Sequence, residues 1–181
     1  VEETGKLFRA IKTRGRNKQK ELMLSVLFSL ETACRIGEMI QLKWSEVNID
    51  GRYLDFLAET TKTKVGRRIP LSTVAVKILK LFKEAHNPEG LGEVRVFSCW
   101  SVNEHHLSRQ FQLSCGRAEI EDIRWHDLRH EATSRLFEWV NPRSGQTLTD
   151  MEIASITGHK SMNMLRKYAH LRPSSIIPKL W

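Results

Sequence analysis

Cysteine and tyrosine are few in this sequence and acidic residues are outnumbered by basic ones, and each of these narrows what the chain can be. Its three cysteines, Cys34, Cys99 and Cys115, are odd in number and lack CxxC spacing. That argues against a disulfide framework or a zinc knuckle and fits a reducing compartment. No apolar run approaches the ~20 residues of a membrane span. No secretory leader precedes the first helical pattern. Residue 1 is Val, and the chain reads as an excised piece with Val1 and Trp181 at its cut ends. No paired carboxylates or His/Asp cluster at ligand spacing stand out, and His105-His106 is adjacent rather than spaced i, i+4, so a metal-dependent nuclease is disfavoured. There is no internal repeat and no low-complexity tract. Only two tyrosines are present, one of them Tyr168.

Basic residues are in excess. Lys and Arg number 29 against 21 Asp and Glu, a net charge of +8, which favours a polyanionic partner, nucleic acid ahead of an anionic membrane. The excess is clustered. Five of the nine residues from Lys12 to Lys20 are basic and none is acidic, and Lys62, Lys64, Arg67 and Arg68 fall between Thr60 and Arg68, again without an acid. Such patches bind polyphosphates by releasing counterions, so Arg14, Arg16, Lys18, Lys64 and Arg67 are candidate DNA-backbone contacts. A solvated Lys-rich surface is the plain alternative, and for Lys64 the simpler one. At 181 residues, 40% apolar and 28% charged, the chain suits one well-buried domain, or at most two small ones, and not disorder.

Periodicity predicts a mostly helical protein with one small sheet. A short helix is expected over Thr4 to Lys12. A longer one, capped by Asn17, is broken at Gly37 just after Arg35 and continues through Met39, Ile40 and Leu42. Asp50-Gly51 between strand-like runs is a type I′ hairpin signal. A second turn near Lys64 to Gly66 leads to a strand over Arg68 to Leu71, completing a three-stranded antiparallel sheet with Pro70 at an edge or strand end. Ser72 caps the helix of Val76, Leu79 and Phe82. Ser101 with Glu104, and Thr149 with Glu152, have capping-box spacing. The helix in WHDLRHEATSRL is expected to bury Leu128, Ala132, Leu136 and Trp139. Gly158 closes the next helix. Ser161 starts the last, which buries Met162, Leu165 and Ala169 and leaves Tyr168 at the edge of that stripe.

Several side chains in these elements are candidates for chemistry. His126 and Arg129, three residues apart, stand together on one flank; alone they read more simply as part of a surface ion pair with Asp127 or Glu131. Arg35 interrupts the apolar stretch ETACRIGEMI, and a charge so placed needs an anion. Glu38 is the plain choice, and a phosphate clamped jointly with Arg129 is the functional one. Lys62 either reaches a groove or is a solvated hairpin lysine. His159 follows the helix-closing Gly158 at a tight turn, where a lone His is usually structural. A free phenol has a pKa of about 10, so Tyr168 is a nucleophile only beside a base and positive charge.

Together these segments resemble the catalytic domain of the tyrosine recombinases, of the phage-integrase and Xer kind. The matching pieces are TACRIGEMIQLKW, TKTKVGRRIPL, WHDLRHEATSRL, ITGHKS and MNMLRKYAHL, in the family's order and spanning nearly the whole chain. Each is weak alone, but HDLRH followed by GHKS and a tyrosine nine residues beyond the His is specific. The resemblance implies one catalytic domain over residues 1–181, mainly α with a small three-stranded antiparallel sheet. The family's amino-terminal core-binding domain is absent from this chain, so weak DNA binding and poor recombination are expected of it alone. The implied chemistry is site-specific recombination of double-stranded DNA without metal, nucleotide or other cofactor. Tyr168 would attack the scissile phosphate to give a 3′-phosphotyrosyl enzyme and a 5′-hydroxyl, and a second strand's 5′-hydroxyl would reverse the step.

By the same resemblance, Arg35 and Arg129 would stabilise the non-bridging oxygens and His126 would be the general base. Lys62 would protonate the departing 5′-oxygen and His159 would hydrogen-bond the phosphate, with Glu38 in support. The implied partners are duplex recombination sites, further copies in a tetramer of the full-length protein on DNA, and accessory DNA-bending proteins, with no membrane and a cytoplasmic location in a bacterium. Two departures stand out: Ala33-Cys34 where Gly is common before the first arginine, and a long WVNPRSGQTLTD loop. The alternative is a catalytically inactive or regulatory DNA-binding homologue. Such a protein would be expected to lack an arginine or the tyrosine, and all six positions are filled.

Overall fold

The computed structural model describes residues 16–56 and 66–171, without the side chains at 16, 17 and 169. The helix expected over Thr4 to Lys12 lies outside them. The order is α1 (Arg16–Thr32), α2 (Ile36–Gln41), β1 (Val47–Asn48), β2 (Tyr53–Phe56), β3 (Arg67–Pro70), α3 (Thr73–His86), α4 (Glu104–Arg117), α5 (Trp125–Glu138) and α6 (Asp150–Thr157). Two 3-10 segments follow, Met162–Met164 and Arg166–Leu171. The expected fold class, mostly helical with one three-stranded antiparallel sheet, is what the chain adopts.

Helix α1 is apolar around most of its circumference because it is central: Leu22, Val26, Phe28 and Leu30 are all buried, and α3, α4 and α5 pack around it. Phe97 links it to α3, its ring 5.0 Å from Phe28 and 4.7 Å from Phe82. In the sheet, Leu54, Phe56 and Ile69 point inward. β3 is an edge strand, where Pro70 costs no ladder bond. No helix among the described residues is long and apolar enough to cross a membrane.

Several local expectations change. The break in the long helix falls at residues 33–35, before Ile36, and Gly37 lies inside α2 rather than at the break. The first hairpin is not a two-residue type I′ turn. Val47 pairs with Leu54 and Asn48 with Tyr53, leaving a four-residue loop in which Arg52, not Gly51, is left-handed (φ 58). The Asn48 side-chain oxygen, which accepts the Gly51 N–H at 2.6 Å, favours this longer loop. Helix α4 starts from Asn103 rather than Ser101, and Asn103 Oδ1 accepts the His105 N–H at 3.0 Å.

Helix α5 buries Leu128 and Ala132 as expected, but Trp139 is 44% exposed and Phe137 is buried instead. The helix is covered from two sides. Trp125 and Leu128 belong to the main core, and Phe137 to a smaller one with Ile153, Leu165 and Tyr168.

The last helix is not α-helical. Met164 N–H donates to Ser161 O, Leu165 N–H to Met162 O and Tyr168 N–H to Leu165 O, all at i to i+3 spacing. A period of three residues eclipses i with i+3, which puts Tyr168 on the same face as Leu165. Tyr168 is buried with Leu165, 5% exposed, whereas Met162, at the start of the first 3-10 segment, is 46% exposed.

Candidate active site

The site forms where the end of α1, the start of α2, α5 and the end of α6 meet. Past Thr32 the chain turns at Ala33, which takes the left-handed conformation (φ 53) usually left to glycine. Arg35 follows in extended backbone just before α2. Glu38, in the first turn of α2, accepts the Arg35 N–H at 2.9 Å and its guanidinium Nη1 at 3.0 Å. It also receives Arg67 from β3 as a two-pronged pair, at 2.9 and 2.6 Å. Burial alone would raise the Glu38 carboxyl. The Arg67 hydrogen bonds and charge, with help from Arg35, hold it below the ordinary range.

Three guanidiniums then close the carboxyl end of α6. Arg67 Nε donates to Ile156 O at 3.2 Å, Arg129 Nη2 to Thr157 O at 2.6 Å and Arg35 Nη2 to Gly158 O at 3.0 Å. The last carbonyls of a helix lack intrahelical partners and carry partial negative charge, so cations there are favourable. Arg129, 4% exposed, also donates Nη1 to Ala33 O at 2.5 Å. The arginines thus tie the α1–α2 turn to α6. Gly158, left-handed at φ 69 and ψ 40, turns the chain back and sets His159. Thr157 Oγ1 donates to Ile153 O and lies 2.6 Å from His159 Nδ1, so Nδ1 carries the proton of that contact.

A cavity of about 560 Å³ opens beside this frame, lined in part by Arg35, Gln41, Glu104, Trp125, His126 and Arg129. His126 is exposed at its mouth, its ring edge-on to that of His130, 4.6 Å away. The electrostatics agree in direction. Burial, then Arg129, lowers the His126 imidazole. Burial, then Arg129 and Arg35, brings His159 down to about 4. Burial, then Arg35, lowers Arg129 itself to about 10. Positive charge is under-neutralised here, which suits an anion and disfavours a metal ion.

Tyr168 lies against α5. Its ring stacks on Phe137, centroids 5.5 Å apart, and its hydroxyl is 2.6 Å from His130 Nδ1. Lys167 Nζ reaches the same nitrogen at 3.0 Å. Burial raises the phenol, opposed by the Thr133 hydrogen bond and the Arg129 charge.

The structure therefore gathers Arg35, His126, Arg129, His159 and Tyr168 around one junction, with Glu38 supporting Arg35. Lys62, Lys64 and Arg14 lie outside the described residues, as does the side chain of Arg16. Lys18 is exposed on α1. Arg67, expected as a DNA contact, is instead consumed by Glu38 and Ile156 O inside the frame, because a carboxylate on α2 lies within reach of β3. His130 and Lys167, which meet Tyr168, are not among the expected residues. His126 and His130 are spaced i, i+4, the one-turn spacing that His105-His106 lacks, and that spacing marks the first of them. A further cluster joins Glu21, His86 and Cys99 from three distant segments, their ligand atoms all within 4.8 Å of one another. The trio could hold a divalent ion, and without one Glu21 Oε1 and His86 Nε2 pair at 2.9 Å.

Comparison with known proteins identifies the family of the chain. Residues 1–175 match the model of the phage integrase family. A shufflon-specific DNA recombinase of Escherichia coli is 39% identical over 166 residues, covering 90% of this chain and 38% of that protein. The integrase of Salmonella phage P22 is 26% identical over 170 residues, 87% of this chain and 41% of that one. The chain thus spans about two fifths of the length of these relatives. In fold it is similar to a lambda integrase (75–356) dimer bound to a COC′ core site, with TM-score 0.71, 22% identity, and coverage of 95% of this chain and 58% of that one. The catalytic domain of bacteriophage HP1 integrase gives TM-score 0.68 at 22% identity, over 99% of this chain and 90% of that one. The chain belongs to the phage integrase family.

Proposed function

We propose that these residues form the catalytic domain of a site-specific tyrosine recombinase that breaks and rejoins DNA strands. The observation that carries the proposal is the junction itself: two arginines and His126 on one cavity, His159 within their field, and a buried tyrosine hydroxyl on the adjoining helix. Arg35 and Arg129 each keep guanidinium N–H groups beyond those spent on Glu38, Ala33, Thr157 and Gly158. Those donors are held rigidly by buried partners, and preorganised donors are what a pentacoordinate phosphorane needs as charge builds on its oxygens. His126 and His159 add hydrogen bonds to the same oxygens. Tyr168 attacks phosphorus, a 3′-phosphotyrosyl bond forms, and the 5′-oxygen leaves with a proton from Lys62. Attack by another strand's 5′-hydroxyl restores a diester, so the bond energy is retained without a nucleotide, and no metal is required.

The related lambda integrase is known as a dimer on a core site and as a tetramer on a Holliday junction. We extend that arrangement to the full-length protein here, working on duplex recombination sites in a bacterial cytoplasm with DNA-bending accessory proteins. The length that the relatives have beyond this chain would complete the grip on DNA. An inactive DNA-binding homologue is the second reading, and the filled tyrosine, histidine and arginine positions weigh against it.

The deciding experiment uses a nicked suicide duplex and looks for a protein–DNA adduct that survives detergent. Wild type should form it in the presence of EDTA. Tyr168→Phe should form none while binding the duplex about as well. An adduct that persists in Tyr168→Phe, or that needs a divalent metal, overturns the proposal.

A further inference from the structure

The geometry points to His130, not His126, as the base that takes the Tyr168 proton; this rests on the strand-transfer reading above. The tautomer follows from the neighbours. Lys167 offers an ammonium with three donors and no acceptor, and it sits 3.0 Å from His130 Nδ1 and 3.5 Å from Nε2. The Tyr168 hydroxyl approaches the same Nδ1 at 2.6 Å. A nitrogen that meets an ammonium and a hydroxyl together carries the lone pair, so Nε2 holds the ring proton. The Tyr168 hydroxyl and the Lys167 ammonium compete for that single lone pair, and the hydroxyl makes the shorter contact, along the path by which a proton leaves a phenol.

One stripe of α5 divides the labour. His126, His130, Thr133 and Phe137 recur at i, i+4, i+7 and i+11, so they share a face. Phe137 stacks under the Tyr168 ring, and Thr133 and His130 meet its hydroxyl. His126 lies one turn further, on the cavity with Arg35 and Arg129, where it faces the phosphate. Two imidazoles a turn apart thus serve two different oxygens.

The surroundings keep His130 unprotonated and ready. Burial lowers its imidazole, Lys167 from the 3-10 segment and His126 and Arg129 on its own helix lower it further, and Asp127 opposes. His159, beyond the end of α6, interacts with it as well. A phosphodiester docked between the arginines adds a negative charge amid these cations, which makes Nδ1 more basic when substrate is present. As the Tyr168 oxygen bonds to phosphorus, its O–H bond breaks and the proton passes to Nδ1. The P–O5′ bond breaks with its electron pair on the 5′-oxygen, which is protonated separately by Lys62. Rejoining returns the proton from Nδ1 to Tyr168.

His130→Asn tests this, because the Asn side-chain oxygen can stand where Nδ1 stands and keep the hydrogen bond without being a base. The variant should melt near wild type yet form adduct slower by roughly 10²- to 10⁴-fold. Its rate should climb with pH across the range where wild type is level. A substrate with a 5′-bridging sulfur, which leaves without a proton, should not rescue it, whereas Lys62→Ala should be rescued. Wild-type rate and pH profile in His130→Asn, or rescue by sulfur, overturn the assignment. A second readout needs no turnover: with ring-labelled tyrosine, NMR should show the Tyr168 titration displaced in His130→Ala, and an unchanged titration also overturns it. If wild type forms no adduct although that displacement is seen, the strand-transfer reading fails and the base role falls with it. If wild type forms adduct and His130→Asn matches it, only the His130 assignment fails.

Discussion

Arg67 and Glu38 face each other as a buried two-pronged ion pair, Nη1 to Oε1 at 2.9 Å and Nη2 to Oε2 at 2.6 Å, their side chains 6% and 3% exposed. Arg67 comes from β3 and Glu38 from α2. With its third contact on Ile156 O of α6, the Arg67 guanidinium joins β3, α2 and α6. Strand β3, the turn that presents Arg35 and the turn that presents His159 are held in one frame by this residue.

Breaking that pair from one side should therefore be costly. Glu38→Ala leaves the Arg67 guanidinium as a buried charge with only Ile156 O beside it, worth about 3–5 kcal/mol in urea unfolding, and Arg67→Ala should cost less, because Glu38 keeps Arg35. Replacing both, with Arg67→Met and Glu38→Gln, should cost well below the sum of the two single changes. Additivity of the two changes would mean that the residues do not sense each other.

The same pair gives the protein an acid limb. Glu38 titrates below its ordinary value of 4.5 when folded, so the folded state binds fewer protons than the unfolded one near that pH. Its contribution is present above the unfolded value and is lost as pH falls through the folded one. The stability difference between wild type and Glu38→Gln should be full at pH 7 and shrink toward pH 3. A difference independent of pH would contradict this.

Gly158 and Gly145 share φ 69 but not their surroundings. A Cβ at Gly145 meets nothing within 4 Å, whereas one at Gly158 lies 3.0 Å from both Cζ and Nε of Arg67. Gly145→Ala should show only the left-handed penalty, about 1–2 kcal/mol. Gly158→Ala should cost more than that, because the Arg67 guanidinium is pinned by Glu38 and cannot yield. It should also slow adduct formation by displacing His159. Equal costs at the two glycines would show that Arg67 moves freely.

Much of this site is legible in the sequence, for stated reasons. Arg35, His126 and Arg129 are singled out by a charge inside an apolar run and a His–Arg pair three residues apart, and their roles by the resemblance to the tyrosine recombinases. The Ser72 and Thr149 caps and the Gly158 stop are local chemistry, and each forms as read. The depth of Tyr168 is not legible, since it depends on whether residues 162–171 wind at three or 3.6 per turn. Arg67 misleads because its neighbours are basic, while the carboxylate that claims it is 29 residues earlier. Glu21, His86 and Cys99 carry no spacing signal at all, because three separate segments bring them together.

Under the proposed function, His159 should link DNA affinity to pH. Its Nδ1 proton is committed to Thr157 Oγ1, so neutral His159 turns a lone pair at Nε2 toward the site. Donating to a phosphate oxygen requires a second proton. In the free protein, burial and the Arg129, Arg35, Lys167 and His130 charges resist that proton and bring the imidazole to about 4, against an ordinary 6.5. The unfolded chain therefore binds more protons than the folded one between these values, and this group lowers stability as pH drops from 6.5 toward 4. A bound phosphate reverses the balance by neutralising the cations, so DNA binding takes up a proton. Histidine NMR on Tyr168→Phe, which binds without turnover, should show the His159 midpoint near 4 rising when duplex is added. At constant salt, duplex affinity should increase between pH 7 and pH 5 by up to about tenfold per pH unit for each proton taken up. His159→Gln should flatten that slope, and a slope that survives the substitution would assign the proton to His126 or His130 instead.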